Sequence, residues 1–202
     1  MGVPFEIAID GDDVLFECVS YAIDLVNQKE KTEPPLHMEQ VTQWEPSGRR
    51  TDAIFPYFLQ EDFYLTQPLV TGAQEFIRSL LELTDHVLIA SAVPPEFMTI
   101  RAKRIMEAFP ELPKENIMLG GRKDRLKVDM LLDDAVHNIE HSLASCPTLM
   151  DKPWNRSYST KYRVMNFQEF LNLAESYRPK RQCFYFKPRR SSEVKKAAIV
   201  EP

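Results

Sequence analysis

The sequence predicts an α/β fold: a Rossmann-like core with a mostly parallel sheet, and a small helical cap inserted after the first strand. Three observations lead there. Short apolar runs alternate with segments of helical period along most of the 202 residues. Several of those runs end in a carboxylate or a hydroxyl, at the strand ends where parallel sheets bind ligands. Residues 30–68 break the alternation and become aromatic-rich and Pro-containing.

Taken in chain order, Phe5-Glu-Ile-Ala-Ile-Asp10 reads as a strand ending in a carboxylate. Residues 13–28 place Val14, Leu15, Val19, Ala22, Ile23 and Val26 at helical spacing, which predicts an amphipathic helix. Residues 30–68, with Trp44, Phe55, Tyr57, Phe58, Phe63 and Tyr64, are expected to form short helices of an insertion. Gly72 to Leu83 predicts a helix, Val87-Leu-Ile-Ala-Ser91 a strand, 95–109 a helix and Asn116-Ile-Met-Leu119 a strand. Val128-Asp-Met-Leu-Leu132 is a further apolar run ending in Asp133-Asp134. A helix from His137 to Ala144, a strand at Thr148-Leu-Met150 and a helix from Phe167 to Tyr177 complete the pattern. Past Arg178 no helical period persists, and Cys183-Phe-Tyr-Phe186 is strand-like. The expected division is a core of residues 1–29 and 69–177, a cap of 30–68, and a basic extension of 178–202.

Charge narrows the function. The net charge is −5, yet residues 178–202 hold eight Lys or Arg and two Glu, so the body carries about −11. An acidic body repels phosphate backbones, which excludes nucleic acid as a partner. No run approaches the roughly 18 apolar residues that span a membrane. Cys18, Cys146 and Cys183 have no metal-ligand spacing, and their odd number speaks against a disulfide framework. Reduced thiols and a cytoplasmic setting are expected.

The chemistry gathers at the strand ends. Asp10 and Asp12 stand at i and i+2 beyond the first strand, Ser91 ends another, and Asp133-Asp134 follow a third. Mg²⁺ takes oxygen ligands. Asp10, the carbonyl of Asp12 and one of Asp133 or Asp134 would supply them. Ser91, the neighbouring backbone at Ala92, and Lys123 would bind a phosphoryl group, whose anionic oxygens require positioning and neutralisation. Asp10 would attack phosphorus as a nucleophile, and Asp12 would protonate the leaving alkoxide and then activate water. Each residue alone has a plainer reading, as a turn residue, a helix cap or a solvated charge. Their joint order at strand ends favours the enzyme.

These residues resemble the haloacid dehalogenase (HAD) superfamily. Ile7-Ala-Ile-Asp-Gly-Asp-Asp-Val-Leu15 resembles its first motif, Leu88-Ile-Ala-Ser91 the second, Lys123 the third and Asp129-Met-Leu-Leu-Asp-Asp134 the fourth. Within it, Phe63-Tyr-Leu-Thr-Gln-Pro-Leu-Val-Thr-Gly-Ala73, Leu131-Leu-Asp-Asp134, and Pro153-Trp-Asn155 with Arg163-Val164 are similar to the 5′(3′)-deoxyribonucleotidases of bacterial and phage type. Three departures stand out: Asp13 occupies a position where the family usually has Gly, Ser91-Ala-Val93 replaces a common Thr-Ser-Pro, and Val128-Asp129 stands for the usual Gly-Asp of the fourth motif. The resemblance implies Mg²⁺-dependent hydrolysis of nucleoside monophosphates beneath the cap, with Phe16, Trp44, Phe63 and Tyr64 as candidates for contact with the base. A homodimer is a further expectation. Two alternatives stay open: a HAD phosphatase acting on sugar phosphates or other phosphomonoesters, and a catalytically weakened nucleotide-binding regulatory domain.

Overall fold

A computed structural model describes residues 4–31 and 33–178. Strands β1 (Ile7–Asp10), β2 (Val87–Ser91), β3 (Ile117–Leu119), β4 (Met130–Asp133), β5 (Cys146–Met150) and β6 (Arg163–Val164) form one sheet in the order β3-β2-β1-β4-β5-β6. Every neighbouring pair is parallel. The helices are α1 (Val19–Glu30), α2 (Glu61–Thr66), α3 (Ala73–Leu83), α4 (Met98–Ala108), α5 (Val136–Glu140) and α6 (Phe167–Tyr177). The fold is therefore the expected α/β Rossmann-like core.

The central strands are continuous apolar runs because both faces are covered. Ile7 and Ile9 pack with Val87, Ile89, Met130 and Leu132 against the buried sides of α3, α4 and α6. Ala8, Leu131 and Leu149 point to the opposite face, with Val128, Ile139 and Ala144. The chain builds outward from β1 to β3, then crosses back to lay β4 on the other side of β1. That reversal opens a crevice at the carboxyl ends of neighbouring strands. In register, Asp10 lies opposite Ala90, and Ile9 lies opposite Leu132. Ser91 and Asp133 thus come to stand on either side of Asp10.

Several boundaries differ from the sequence reading. The first helix begins at Val19, not at residue 13. The Gly11 carbonyl accepts the amides of Leu15 and Phe16, and Asp13 adopts φ 55°, so a tight turn comes first. Val14, Leu15 and Phe16 are buried within that turn, which imitates a helical period. A short 3-10 turn at Pro95–Phe97 precedes α4, and another at Lys114–Asn116 precedes β3. Helix α5 stops at Glu140, short of Ala144. Strand β6 has two residues, too few to leave a periodic signal.

The insertion holds 3-10 segments at Met38–Gln40 and Arg50–Leu59 together with α2. Its apolar residues Leu36, Val41, Ile54, Tyr57, Phe63 and Tyr64 share one cluster with Val19, Ala22, Ile23 and Val26 of α1. Val93, Phe97 and Trp154 join the same cluster, so α1 packs where the insertion meets the rest of the fold. Among the described residues no helix is long and apolar enough to cross a membrane. The strand-like Cys183–Phe186 and the extension from residue 179 lie outside the described residues.

Ile9 is fully buried at the centre of the sheet. Ile9→Ala is expected to lower unfolding stability by roughly 2–5 kcal/mol. Denaturant unfolding checks this: the midpoint should fall at constant slope.

Candidate active site

Four consecutive residues leave the end of β1, each with its own neighbour. Asp10 is buried, and its Oδ1 lies 2.7 Å from Lys123 Nζ. Gly11 lets Ser91 approach, because a Cβ there would stand 2.5 Å from Ser91 Oγ. Asp12 accepts hydrogen bonds on Oδ1 from Arg101 Nη2 at 2.6 Å and Gln67 Nε2 at 2.9 Å. Asp13 Oδ1 accepts the amides of Cys18 and Val19 at 3.2 and 3.0 Å, capping α1 from outside the helix. Its left-handed φ of 55° suits Gly or a short polar side chain. The Asp at this position thus has a structural use.

Lys123 is carried into the crevice by a 3-10 turn, Lys123–Arg125, between β3 and β4. Its Nζ also meets Asp133 Oδ2 at 2.8 Å. Asp133 is held in turn by the amide of Ala135 at 2.9 Å and by Asn138 Nδ2 at 3.1 Å. Asp134 is braced from β5's far end: Trp154 Nε1 donates to its Oδ2, and Asn155 Nδ2 to its carbonyl, both at 2.8 Å. Asp10, Asp133 and Asp134 offer buried oxygens that all lie within 4.8 Å of one another. Ser91 Oγ is fully buried with no hydrogen-bond partner, a hydroxyl available to a ligand beside Gly11. Ala92, next in sequence, is exposed.

Crowding sets the electrostatics. Burial raises the Asp10 carboxyl well above its ordinary value, Asp133 adds to this, and Lys123 opposes it. Burial, with Asp13 and Asp133 nearby, pushes Asp134 up to about 8. Burial pushes Asp13 up to about 7. Burial would lower Lys123, but Asp10 and Asp133 outweigh it and hold the ammonium above its ordinary range. Arg101 and Lys123 are the buried cations among the described residues, against carboxyls at 10, 13, 133 and 134 and the part-exposed Asp12. Such an excess of carboxyl oxygens fits a hard divalent cation.

The four aromatic candidates do not share one environment. Phe16 is buried under the Arg101 guanidinium, 4.6 Å from its ring centre, and Phe63 and Tyr64 are buried in the cap cluster. Trp44 is 39% exposed, stacked on Phe58 at 5.8 Å and facing Trp154 at 5.8 Å. A cavity of about 310 Å³ lies there, lined by Trp44, Gln43 and Glu45 of the cap and by Ala135, His137 and Trp154 of the core. Sequence reasoning missed Arg101, Gln67, Trp154 and Asn155 as site residues. Arg101 shares the buried face of α4 with Ile105 and Ala108, so a cation at an apolar position was the available signal.

Comparison with known proteins bears on the family and the fold. A family model, 5′ nucleotidase, deoxy (Pyrimidine), cytosolic type C protein, matches residues 4–180. The 5′(3′)-deoxyribonucleotidase of Bacillus subtilis (strain 168) is 28% identical over 165 residues, covering 81% of this chain and 94% of its own. A putative 5′(3′)-deoxyribonucleotidase of Staphylococcus aureus (strain Mu50) is 30% identical over 143 residues, covering 66% of this chain and 76% of its own. Among solved structures, a HAD family hydrolase from Deinococcus radiodurans R1 with bound phosphate and sodium superposes with TM-score 0.54 at 18% identity, covering 86% of this chain and 96% of its own. A putative HAD-hydrolase from Bacillus subtilis bound to magnesium gives TM-score 0.50 at 14% identity, covering 85% and 99%. These two bear on the fold.

Raised carboxyls bind protons more tightly folded than unfolded. Their contribution to stability is full below about pH 4 and is lost as pH rises through about 7 to 8. In chelator, the melting temperature should therefore fall between pH 5 and pH 8. Added Mg²⁺ should raise it more at pH 8, where the site is deprotonated. Thermal melts at both pH values check this; an equal Mg²⁺ increment at each would contradict it.

Proposed function

We propose that this chain, which belongs to the 5′ nucleotidase, deoxy (Pyrimidine), cytosolic type C family, hydrolyses nucleoside monophosphates, deoxyribonucleotides above all, through an aspartyl-phosphate on Asp10. It is a HAD-fold phosphoric monoester hydrolase. The observation that carries the mechanism is the buried Asp10–Lys123–Asp133 chain of contacts beside the unpartnered Ser91 hydroxyl.

Lys123 and the Gly11 amide both engage Asp10 Oδ1, which leaves Oδ2 to attack phosphorus. The ester P–O bond breaks, and the leaving alkoxide takes a proton from Asp12. A water then gives its proton to Asp12 and attacks phosphorus. The Asp10–phosphorus bond breaks, phosphate leaves, and the Asp10 carboxylate is restored. Ser91, the backbone at Ala92 and Lys123 bind the phosphoryl oxygens. Mg²⁺, when held by Asp10, the Asp12 carbonyl and Asp134, supplies charge neutralisation there. Asp134 suits this better than Asp133, whose two oxygens are already taken by Lys123, Asn138 and the Ala135 amide.

The cavity between Trp44 and Trp154 is linked to the carboxyl cluster through Trp154, whose Nε1 donates to Asp134, and is the natural place for a nucleobase to stack. An exposed aromatic at the cap favours a nucleotide over a simple sugar phosphate. Among the described residues Cys18 and Cys146 are buried free thiols, which suits a reducing compartment.

Phosphate release from a panel of ribo- and deoxynucleoside monophosphates, with Mg²⁺ and with chelator, tests the substrate class. Asp10→Asn should reduce release to background while circular dichroism stays unchanged; retained turnover would refute the covalent route. Trp44→Ala should raise KM for nucleotides about tenfold, the loss of one base stack of ~1–3 kcal/mol, and leave 4-nitrophenyl phosphate nearly unaffected. An equal effect on both substrates would move the base elsewhere.

A further inference from the structure

The side chain facing Asp12 is an unusual thing to bury. Arg101 is 1% exposed, on a helix face that otherwise carries Ile105 and Ala108. Its guanidinium lies between the rings of Phe16, at 4.6 Å, and Tyr64, at 5.3 Å. Nη2 meets Asp12 Oδ1 at 2.6 Å and Gln67 Oε1 at 2.9 Å. Gln67 is fully buried, and its Nε2 donates to the same Asp12 oxygen at 2.9 Å. The three side chains close a triangle in which Gln67 accepts from one partner and donates to the other. Arg104 Nη2 donates to the Gln67 carbonyl at 2.7 Å, which fixes the backbone as well.

Stability alone does not account for such a triangle. A buried ion pair is often no better than a well-packed apolar pair of the same volume. What it does accomplish is positional. Both donors fall on Oδ1, which leaves Oδ2 as the oxygen open to a ligand, and the carboxyl cannot rotate without breaking two contacts. Gln67 is also the first residue after α2, where the chain returns from the cap. Next to it, the Pro68 carbonyl accepts the Glu17 amide, and Leu15 and Val70 bond through their backbones. The cap's return segment thus reaches the acid directly.

From this geometry we infer that Arg101 and Gln67 are a positioning pair for Asp12, holding its carboxyl by Oδ1 so that Oδ2 is presented to the departing oxygen. This rests on the reading of Asp12 as the acid. A positioning defect of this kind weighs on leaving groups that need a proton and spares those that do not.

The test is single-turnover release of the leaving group by the full chain with Mg²⁺, comparing a deoxynucleoside monophosphate with 4-nitrophenyl phosphate, whose nitrophenolate departs unprotonated. Arg101→Met and Gln67→Leu should each slow the nucleotide about 10²-fold, the size of a lost acid contribution. They should slow the aryl phosphate less than about fivefold, with KM for the nucleotide within about threefold. Arg101→Lys should recover part of the loss. Equal slowing of both leaving groups, or a rise in KM alone, would overturn the inference. Should Arg101→Met fail to fold, Gln67→Leu, which keeps the cation, decides by the same ratio. Asp12→Asn is the reference. If it lacks the leaving-group selectivity, the assignment of Asp12 fails, and this inference with it. If it has the selectivity and the Arg101 and Gln67 variants lack it, only the positioning pair fails.

Discussion

Lys123 is the contact on which the rest of the site depends. Its ammonium, 5% exposed, bridges Asp10 on β1 and Asp133 on β4 at 2.7 and 2.8 Å. Each of those carboxyls is buried at the end of a strand whose own residues are wholly apolar. Burial favours the neutral form of such a group and a neighbouring cation favours the ionised form; at Asp10 the two act against each other, with burial the larger. One cation is shared between the ends of two adjacent parallel strands. It also fixes the spacing of the two strand ends, which the register of β1 on β4 has already set level. The fold supplies the convergence, and the lysine sets a positive charge among the carboxyls that it gathers.

The same crowding explains why the surroundings are so heavily braced. Asp133 is tied into the turn before α5, and Asp134 is pinned by Trp154 and Asn155 from the segment after β5. Asn155 is itself held by Arg163 at the edge strand β6, through its Oδ1 at 2.8 Å and its carbonyl at 3.0 Å. A path of hydrogen bonds therefore runs from the outermost strand to the crevice. It gives the late Pro153-Trp-Asn155 and Arg163-Val164 segments a physical purpose: they hold Asp134 at the mouth of the crevice.

How much of this was legible in the sequence follows from the kind of signal each part leaves. Central strands leave apolar runs, so β1, β2 and β4 stand out, and with them Asp10, Ser91 and the Asp133-Asp134 pair. Helix α6 shows its full period and both ends, Phe167 and Tyr177. The turn after β1 was misread as helix because Val14, Leu15 and Phe16 are buried for tertiary reasons. Periodicity reports that α1 has a buried face, not which neighbours bury it, so its packing against Ile54 and Tyr57 of the insertion left no signal. Arg101 and Gln67 were invisible for a different reason. A buried polar group satisfied by partners 34 and 89 residues away leaves no local pattern.

The loop from Asp10 to Asp13 gathers these constraints into four residues. Asp10 faces the lysine, Gly11 makes room for Ser91, Asp12 turns to the cap's return segment, and Asp13 caps the helix that enters the cap. The chain leaves the core at Glu17 and comes back at Pro68, and those two residues are hydrogen-bonded to each other. The two connections to the insertion are thus tied to one another beside the loop that follows β1. The return segment is joined to that loop through Gln67, so any rearrangement that lifts α2 must either break the Gln67 contacts or carry the Asp12 side chain with it.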